Sequence, residues 1–388
     1  MIDFTKIPSP CFVLDEEALR RNLAVIDRVR SESGAEVIVA LKACAMWSVF
    51  PELAAHSDGA TASSLNEARL VFEEYGAPAH TYAPVYSDAE FDEIARCSSH
   101  ITFNSPGQWE RFGPRALLRG ISCGLRVNPG WSPVEVDLYN PALPGSRLGI
   151  ERLEALPAGV EGLHFHVLCE SRAEDLARVL GAFEERFGHL LGEDSGLKWL
   201  NFGGGHLMTR QGYSVDLLID TIRGFRARYP HLRVILEPGS AFTWRAGVLV
   251  SRVEDIVDSG GVRTAMLDVS FACHMPDCLE MPYKPAIAGA HDTLPGERGW
   301  RMGGCSCLAG DWMGGRNADG EFSDYTKDDG SEFKVGDRVV FEDMIHYTMV
   351  KTTMFNGVRH PSIAILREDG RLDIIRTFGY EDYKSRMS

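Results

Sequence analysis

The chain has no basic excess and no long apolar run. Its 388 residues carry 40 lysines and arginines against 55 aspartates and glutamates, a formal net charge of −15. That balance argues against a nucleic-acid backbone or an anionic membrane surface as partner, and it is compatible with a small cationic substrate. No uninterrupted apolar stretch reaches bilayer-spanning length. Residues 1–10 lack the basic flank and apolar core of a signal peptide. Cysteine is scattered and odd in number, nine in all, so a disulfide scaffold is not expected and a reducing, cytoplasmic setting is. Cys305 and Cys307 stand too close for a zinc knuckle, and no metal site is expected. What remains, 44% apolar and 24% charged, is an ordinary globular composition with enough length for two domains.

The first half alternates short apolar runs with helical patterns. The run from Val37 to Leu41 is β-branched and apolar and ends in Lys42, the pattern of a strand buried on both faces. Seven further runs follow, at 59–64, 80–85, 100–105, 124–129, 162–167, 199–205 and 233–239. Helical spacing appears over 16–30, from about Asn66, from Ser171 with a capping box to Glu174, and over 215–228. Eight strands alternating with helices predict a parallel (β/α)8 barrel over 14–242, with its site at the carboxyl ends of the strands. Lys42, Ser64, Asn104, Asn128, His166, Gly203 to Gly205 and Glu237 all fall at those ends. After about residue 240 strand patterns continue without helices, at 248–256, 262–269, 338–341, 347–355, 362–366 and 372–378. They predict a mainly antiparallel β domain over 243–388, joined by residues 1–13. Pro/Gly-rich stretches around 129–145 and 276–300 read as long loops, and 314–331 as an exposed one.

Each candidate group has a plain and a chemical reading. Lys42 either snorkels out of the fold or presents a nucleophilic amine that carries a carbonyl cofactor covalently. The three glycines Gly203, Gly204 and Gly205 make a tight turn or bring backbone amides up to a phosphate. Glu237 is a surface carboxylate, a metal ligand, or the partner of a protonated pyridine nitrogen. His166 is a core histidine or an imidazole stacked on a cofactor ring. Cys307 is a small core residue or a general acid. Tyr347 packs in a strand or reaches a phosphate.

Two segments, His274 to Pro285 (HMPDCLEMPYKP) and Phe341 to Gly357 (FEDMIHYTMVKTTMFNG), carry a likeness that extends over essentially the whole chain. The sequence resembles the fold-type III pyridoxal-phosphate decarboxylases and, within them, the carboxynorspermidine (carboxyspermidine) decarboxylases. The resemblance implies a barrel of the alanine racemase type and decarboxylation of a carboxylated polyamine to norspermidine or spermidine. It makes Lys42 the lysine that holds pyridoxal 5'-phosphate and His166 the residue stacked on its ring. Gly203, Gly204 and Gly205 become the phosphate loop, Glu237 the pyridine-nitrogen partner and Tyr347 a phosphate contact. It also implies a homodimer whose active sites are shared, with Cys307 crossing into the neighbouring subunit.

Where ornithine-type enzymes place an acid after the matching cysteine, this chain has Leu308, which speaks against ornithine. Glu280, with Asp311 assisting, is then expected to receive the substrate's distal amine. The rival readings are a diaminopimelate or other basic amino-acid decarboxylase of the same fold, and a non-enzymic carrier of the cofactor.

Overall fold

A computed structural model describes residues 4–315 and 323–388. The chain divides into two compact units, Arg21–Phe242 and the chain up to Arg20 together with Thr243–Ser388.

The Arg21–Phe242 unit is a closed barrel of eight parallel strands. The chain's first strand, β1 (Cys11–Asp15), belongs to the other unit. The barrel strands are β2 (Glu36–Ala40), β3 (Gly59–Ala62), β4 (Ala79–Tyr82), β5 (Ser98–Phe103), β6 (Ser122–Arg126), β7 (Val160–His164), β8 (Trp199–Asn201) and β9 (Arg233–Leu236). Closure comes from β9 pairing back on β2, with Glu36 opposite Ile235 and Val37 opposite Leu236. Val37, Ile38, Val39 and Ala40 are all buried. Both faces of this strand are covered, which is why its sequence shows no alternation.

Small residues make room inside the barrel for one large one. A Cβ on Gly162 would stand 2.0 Å from the Trp199 indole, and one on Gly124 2.3 Å from it. Trp199 fills that space, packs with Ile38 and Ile235, and donates from Nε1 to Ser122 Oγ at 2.9 Å. A buried indole thus has its one polar atom satisfied.

Helices Asp88–Arg96, Pro106–Leu117, Ala173–Phe187 and Val215–Arg228 bury apolar stripes within this unit. The helix expected to open on a Ser171–Glu174 box opens differently. Asp175 accepts from the Arg172 N–H at 2.9 Å, while Ser171 bonds the Cys169 backbone. Ser64 is a helix N-cap, accepting from Glu67 N at 3.2 Å. Asn128 closes a turn, accepting from Gly130 N at 2.8 Å. These two polar strand-end residues are explained by local backbone demand.

In the other unit an eight-stranded sheet runs β14-β13-β11-β10-β1-β17-β18, with β16 also paired to β10. Its strands are β10 (Gly247–Ser259), β11 (Val262–Leu267), β13 (Arg301–Gly303), β14 (Trp312–Met313), β16 (Arg338–Glu342), β17 (Ser362–Leu366) and β18 (Leu372–Arg376). A separate ribbon pairs β12 (Ala290–Asp292) with β15 (Tyr325–Lys327).

The sheet is mainly antiparallel, as expected, and two pairings make it mixed: β1 runs parallel to β17 and β11 parallel to β13. Residues 14–20, expected in the barrel, group with this unit: β1 pairs within the sheet, and Arg20 bonds Glu368 at 2.9 Å. No strand forms over 347–355. Tyr347 has a φ of 55° and Asn356 one of 56°, and left-handed residues break a ladder into turns. Of the loop expected over 314–331, residues 316–322 lie outside the described residues, and the rest contains β15. Among the described residues no helix is long and apolar enough to cross a membrane.

Candidate active site

Lys42 lies just past the end of β2, in a turn closed by Ala43 N donating to Ala40 O at 3.1 Å. Burial pushes its ammonium below the ordinary lysine value; the Glu237 carboxylate opposes this and the Arg126 guanidinium adds to it. The amine therefore spends more of its time neutral and nucleophilic. Its Nζ is 3.0 Å from Nε2 of His166.

His166 follows β7. Its Nδ1 is 2.7 Å from the Gly204 N–H. A backbone N–H only donates, so Nδ1 accepts and a neutral ring carries its proton on Nε2. That proton then points at the Lys42 lone pair. The arrangement holds only while both groups are neutral, in agreement with the His166 value lying well below ordinary through burial, Lys42 and Arg126.

Glu237 follows β9 and is buried. Burial raises its carboxyl above the ordinary value; the bond from Asn201, then Lys42 and Arg126, oppose that rise. Its Oε1 accepts from Asn201 Nδ2 at 2.7 Å, and its Oε2 is 3.6 Å from His164 Nε2.

The bend after β8 brings Gly203, Gly204 and Gly205 beside these groups. Gly203 and Gly205 have φ of 71° and 92°. A Cβ at the three positions would meet the carbonyl oxygens of Phe165, Glu237 and Leu168 at 2.4, 2.3 and 2.2 Å. Only glycine fits, for reasons of space at all three positions and also of conformation at Gly203 and Gly205.

Three further residues complete this end of the barrel, and the sequence reading did not single them out. Asn201 joins Glu237 to the bend, its Oδ1 accepting from Gly203 N at 2.8 Å. Arg126, buried at the end of β6, donates to His166 O at 2.9 Å and lies 4.7 Å from the centre of the Tyr82 ring. His164 is buried with neither nitrogen hydrogen-bonded. A charge inside the apolar run 124–129 is a visible signal for Arg126, and His164 stands two residues before His166 on the same side of its strand; Asn201 has none. Asn104, at the end of β5, accepts from Tyr82 Oη at 2.8 Å and from Gly149 N at 2.9 Å.

Ligand atoms of His164, His166 and Glu237 lie within 4.8 Å of one another, close enough to suggest a cation. Both His166 nitrogens are already engaged, by Gly204 and Lys42. The set matches an aldehyde cofactor with a phosphate and a basic ring nitrogen better: a poised amine, a blocked glycine cradle and a buried carboxylate.

The remaining candidates belong to the sheet unit. Cys307 is exposed, and its N–H donates to Asn356 Oδ1 at 3.0 Å. Asp311 is buried and ties its own loop together: Oδ1 accepts from Ala272 N at 3.0 Å, and Oδ2 from Ser306 N at 3.1 Å and Ser306 Oγ at 2.6 Å. Glu280 ends the one-turn helix Asp277–Glu280, and Lys351 Nζ bridges it, at 2.7 Å from Glu280 and 2.5 Å from Asp277. Tyr347 sits in its left-handed turn with the His346 ring 6.2 Å away.

Residues 11–345 match the family described as "Pyridoxal-dependent decarboxylase, C-terminal sheet domain". The chain is 50% identical over 386 residues to the carboxyaminopropylagmatine decarboxylase of Synechocystis sp., covering 99% of this chain and 96% of that protein. It is 38% identical over 397 residues to the carboxynorspermidine/carboxyspermidine decarboxylase of Campylobacter jejuni, covering 99% of each. The crystal structure of carboxynorspermidine decarboxylase from Campylobacter jejuni, complexed with norspermidine, superposes with a TM-score of 0.87 at 37% identity, over 98% of this chain and 100% of that one. Poised amine, glycine cradle and full-length likeness agree: the chain belongs to the pyridoxal-dependent decarboxylases and is a pyridoxal-phosphate enzyme closely related to the carboxynorspermidine/carboxyspermidine decarboxylases.

Proposed function

We propose that the enzyme decarboxylates carboxynorspermidine and carboxyspermidine to norspermidine and spermidine, a step of polyamine biosynthesis. The observation that carries this is the full-length likeness to the Campylobacter jejuni enzyme, in sequence and in fold. A second reading is favoured by the 50% identity to the Synechocystis protein, namely carboxyaminopropylagmatine as substrate. All three compounds share the reacting end, an α-amino acid on an aminopropyl arm. They differ in the distal end: an amine on a shorter or longer chain, or a guanidine.

Bound pyridoxal phosphate supplies an electron sink for the pair released as the α-carboxylate leaves. Lys42 Nζ is the attachment point for its aldehyde carbon, and burial keeps that amine ready. His166, held by the Gly204 N–H, supports one face of the ring and shares a proton with Lys42. Glu237 keeps the ring nitrogen protonated. The bend Gly203–Gly205 receives the phosphate, with Tyr347 as a further contact. Cys307 returns a proton to the α-carbon. Asp311 braces the Cys307 loop through its bonds to Ser306 and Ala272, and Glu280 with Asp277 draws the distal cation in competition with Lys351.

The working form in this reading is a cytoplasmic homodimer in which Cys307 of one chain serves the barrel of the other. Exposure of Cys307, Leu308 and Phe355 on the sheet unit supports this. Carbon dioxide release from the three compounds, assayed side by side, tests the substrate. Turnover of diaminopimelate or ornithine in their place would overturn the reading.

A further inference from the structure

A single side chain joins the two ends of the proposed cofactor cradle. Asn201 ends β8 and is 3% exposed. Its Nδ2 donates to Glu237 Oε1 at 2.7 Å and its Oδ1 accepts from the Gly203 N–H at 2.8 Å. The square closes through the backbone, Glu237 N donating to Gly203 O at 2.8 Å. One neighbour is an acceptor and the other a donor. A side chain of this length satisfies both without taking up a proton only if it is an amide.

We propose that Asn201 is a positioning residue that sets the Glu237 carboxylate at a fixed distance and angle from the glycine bend, so that ring nitrogen and phosphate of the cofactor are gripped in register. This rests on the reading of Glu237 as the ring-nitrogen partner and of the bend as the phosphate cradle. In that reading Asn201 itself contacts neither the ring nitrogen nor the phosphate. It acts by denying Glu237 rotation about its last torsion, a torsion that is broad when unrestrained. It also supplies a donor that favours the charged carboxylate in a buried place.

An aspartate has nearly the same shape but the wrong proton inventory. Asn201→Asp keeps the acceptor for Gly203 N–H and sets a second carboxylate against Glu237. When that new carboxyl takes up a proton it regains a donor and the amide's bonding pattern. The defect is therefore expected to depend on pH, which loss of packing would not produce.

The experiment measures the dissociation constant of pyridoxal phosphate for apo protein, from about pH 6 to about pH 9. It compares wild type, Asn201→Asp, Asn201→Leu, Glu237→Gln and the Asn201→Leu/Glu237→Gln double variant. Thermal melts of each apo protein report folding. Asn201→Leu should weaken the cofactor by about ten- to a hundredfold, the range for a hydrogen bond to a charged group. The double variant should be no weaker than the weaker single one, because both act through one contact. For Asn201→Asp the ratio to wild type should be large at high pH and shrink as pH falls.

Wild-type affinity in Asn201→Leu, or additive losses in the double variant, would overturn the proposal. So would a ratio for Asn201→Asp that stays flat with pH, a readout that stands even if Asn201→Leu does not fold. If Glu237→Gln alone is without effect, the reading of Glu237 falls and this proposal with it. If Glu237→Gln weakens binding and Asn201→Leu does not, only the proposal falls.

Discussion

Alanine at position 204 separates two uses of glycine that the run of three confounds. Gly203 and Gly205 have left-handed φ, so a side chain there strains the backbone as well as the packing. Gly204 does not share that conformation, and its need for glycine is one of space. A Cβ there would stand 2.3 Å from the Glu237 carbonyl oxygen and 3.1 Å from His166 Cε1. The nearer atom is backbone at the end of a barrel strand and cannot swing away. Relief to about 3 Å therefore means opening the bend from Glu237 by about 0.7 Å, which also disturbs the Gly204 N–H that holds His166. Overpacking of this kind costs about 1–3 kcal/mol.

In a unit the size of Arg21–Phe242 that is a fall in melting temperature of roughly 2–12 °C. If the same distortion is carried into the cofactor complex, affinity falls about tenfold for each 1.4 kcal/mol. The natural control is Gly224, inside the helix Val215–Arg228, where a Cβ would meet nothing nearer than Arg228 Nη1 at 3.9 Å. Gly224→Ala should be neutral or stabilising by up to about 1 kcal/mol. Thermal melts of apo protein and fluorescence titration with pyridoxal phosphate measure both effects. Wild-type melting and affinity in Gly204→Ala would refute the argument that close approach fixes glycine here.

Lys42→Ala should lose the absorbance that borohydride abolishes in the wild type and lower carbon dioxide release by about 10²–10⁴-fold or more, yet still bind the cofactor non-covalently; unchanged turnover would remove Lys42 from the chemistry. Lys351→Met should lower KM for the cationic substrate and Glu280→Gln should raise it, because one frees and the other removes a carboxylate of the same pair; shifts of the same sign would exclude that role. Burial holds His206 down at about 4, against an ordinary 6.5. The unfolded chain thus takes up a proton that the fold resists, and stability is full above pH 6.5 and drains away as pH falls toward 4. Near pH 5 the loss from this group is about 2 kcal/mol. Denaturant midpoints at pH 7 and pH 5 should accordingly draw together in His206→Phe relative to wild type, and an identical pH dependence would contradict the assignment.

The barrel was legible because most residues of its strands are buried, with little regard to face. A short apolar run between helical patterns has few other uses, and eight of them in sequence leave a closed parallel sheet as the simplest arrangement. The sheet unit was harder for a physical reason. Strand direction is set by partners distant in sequence, so the parallel entry of Cys11–Asp15 beside Ser362–Leu366 leaves no local trace. Residues 347–355 have the β-branched and aromatic content of a strand. What breaks them is a left-handed Tyr347, and a tyrosine does not announce that conformation.

At the site the same division holds, and it explains which residues the sequence could name. Lys42, the three glycines and Glu237 are anomalies in their own strands: an amine after an apolar run, a triple glycine, a carboxylate before Pro238. Asn201 is no anomaly. It is one polar residue in a run that already ends in glycines, and its importance lies in having a donor and an acceptor for neighbours that come from two different strands. Ser64 and Asn128 looked just as promising at their strand ends, and they serve the local backbone instead. A residue whose role is to relate two elements carries its information in the pairing of those elements. Composition at its own position cannot tell it from a cap or a turn, and only the fold, by placing Glu237 and Gly203 on either side of one amide, does.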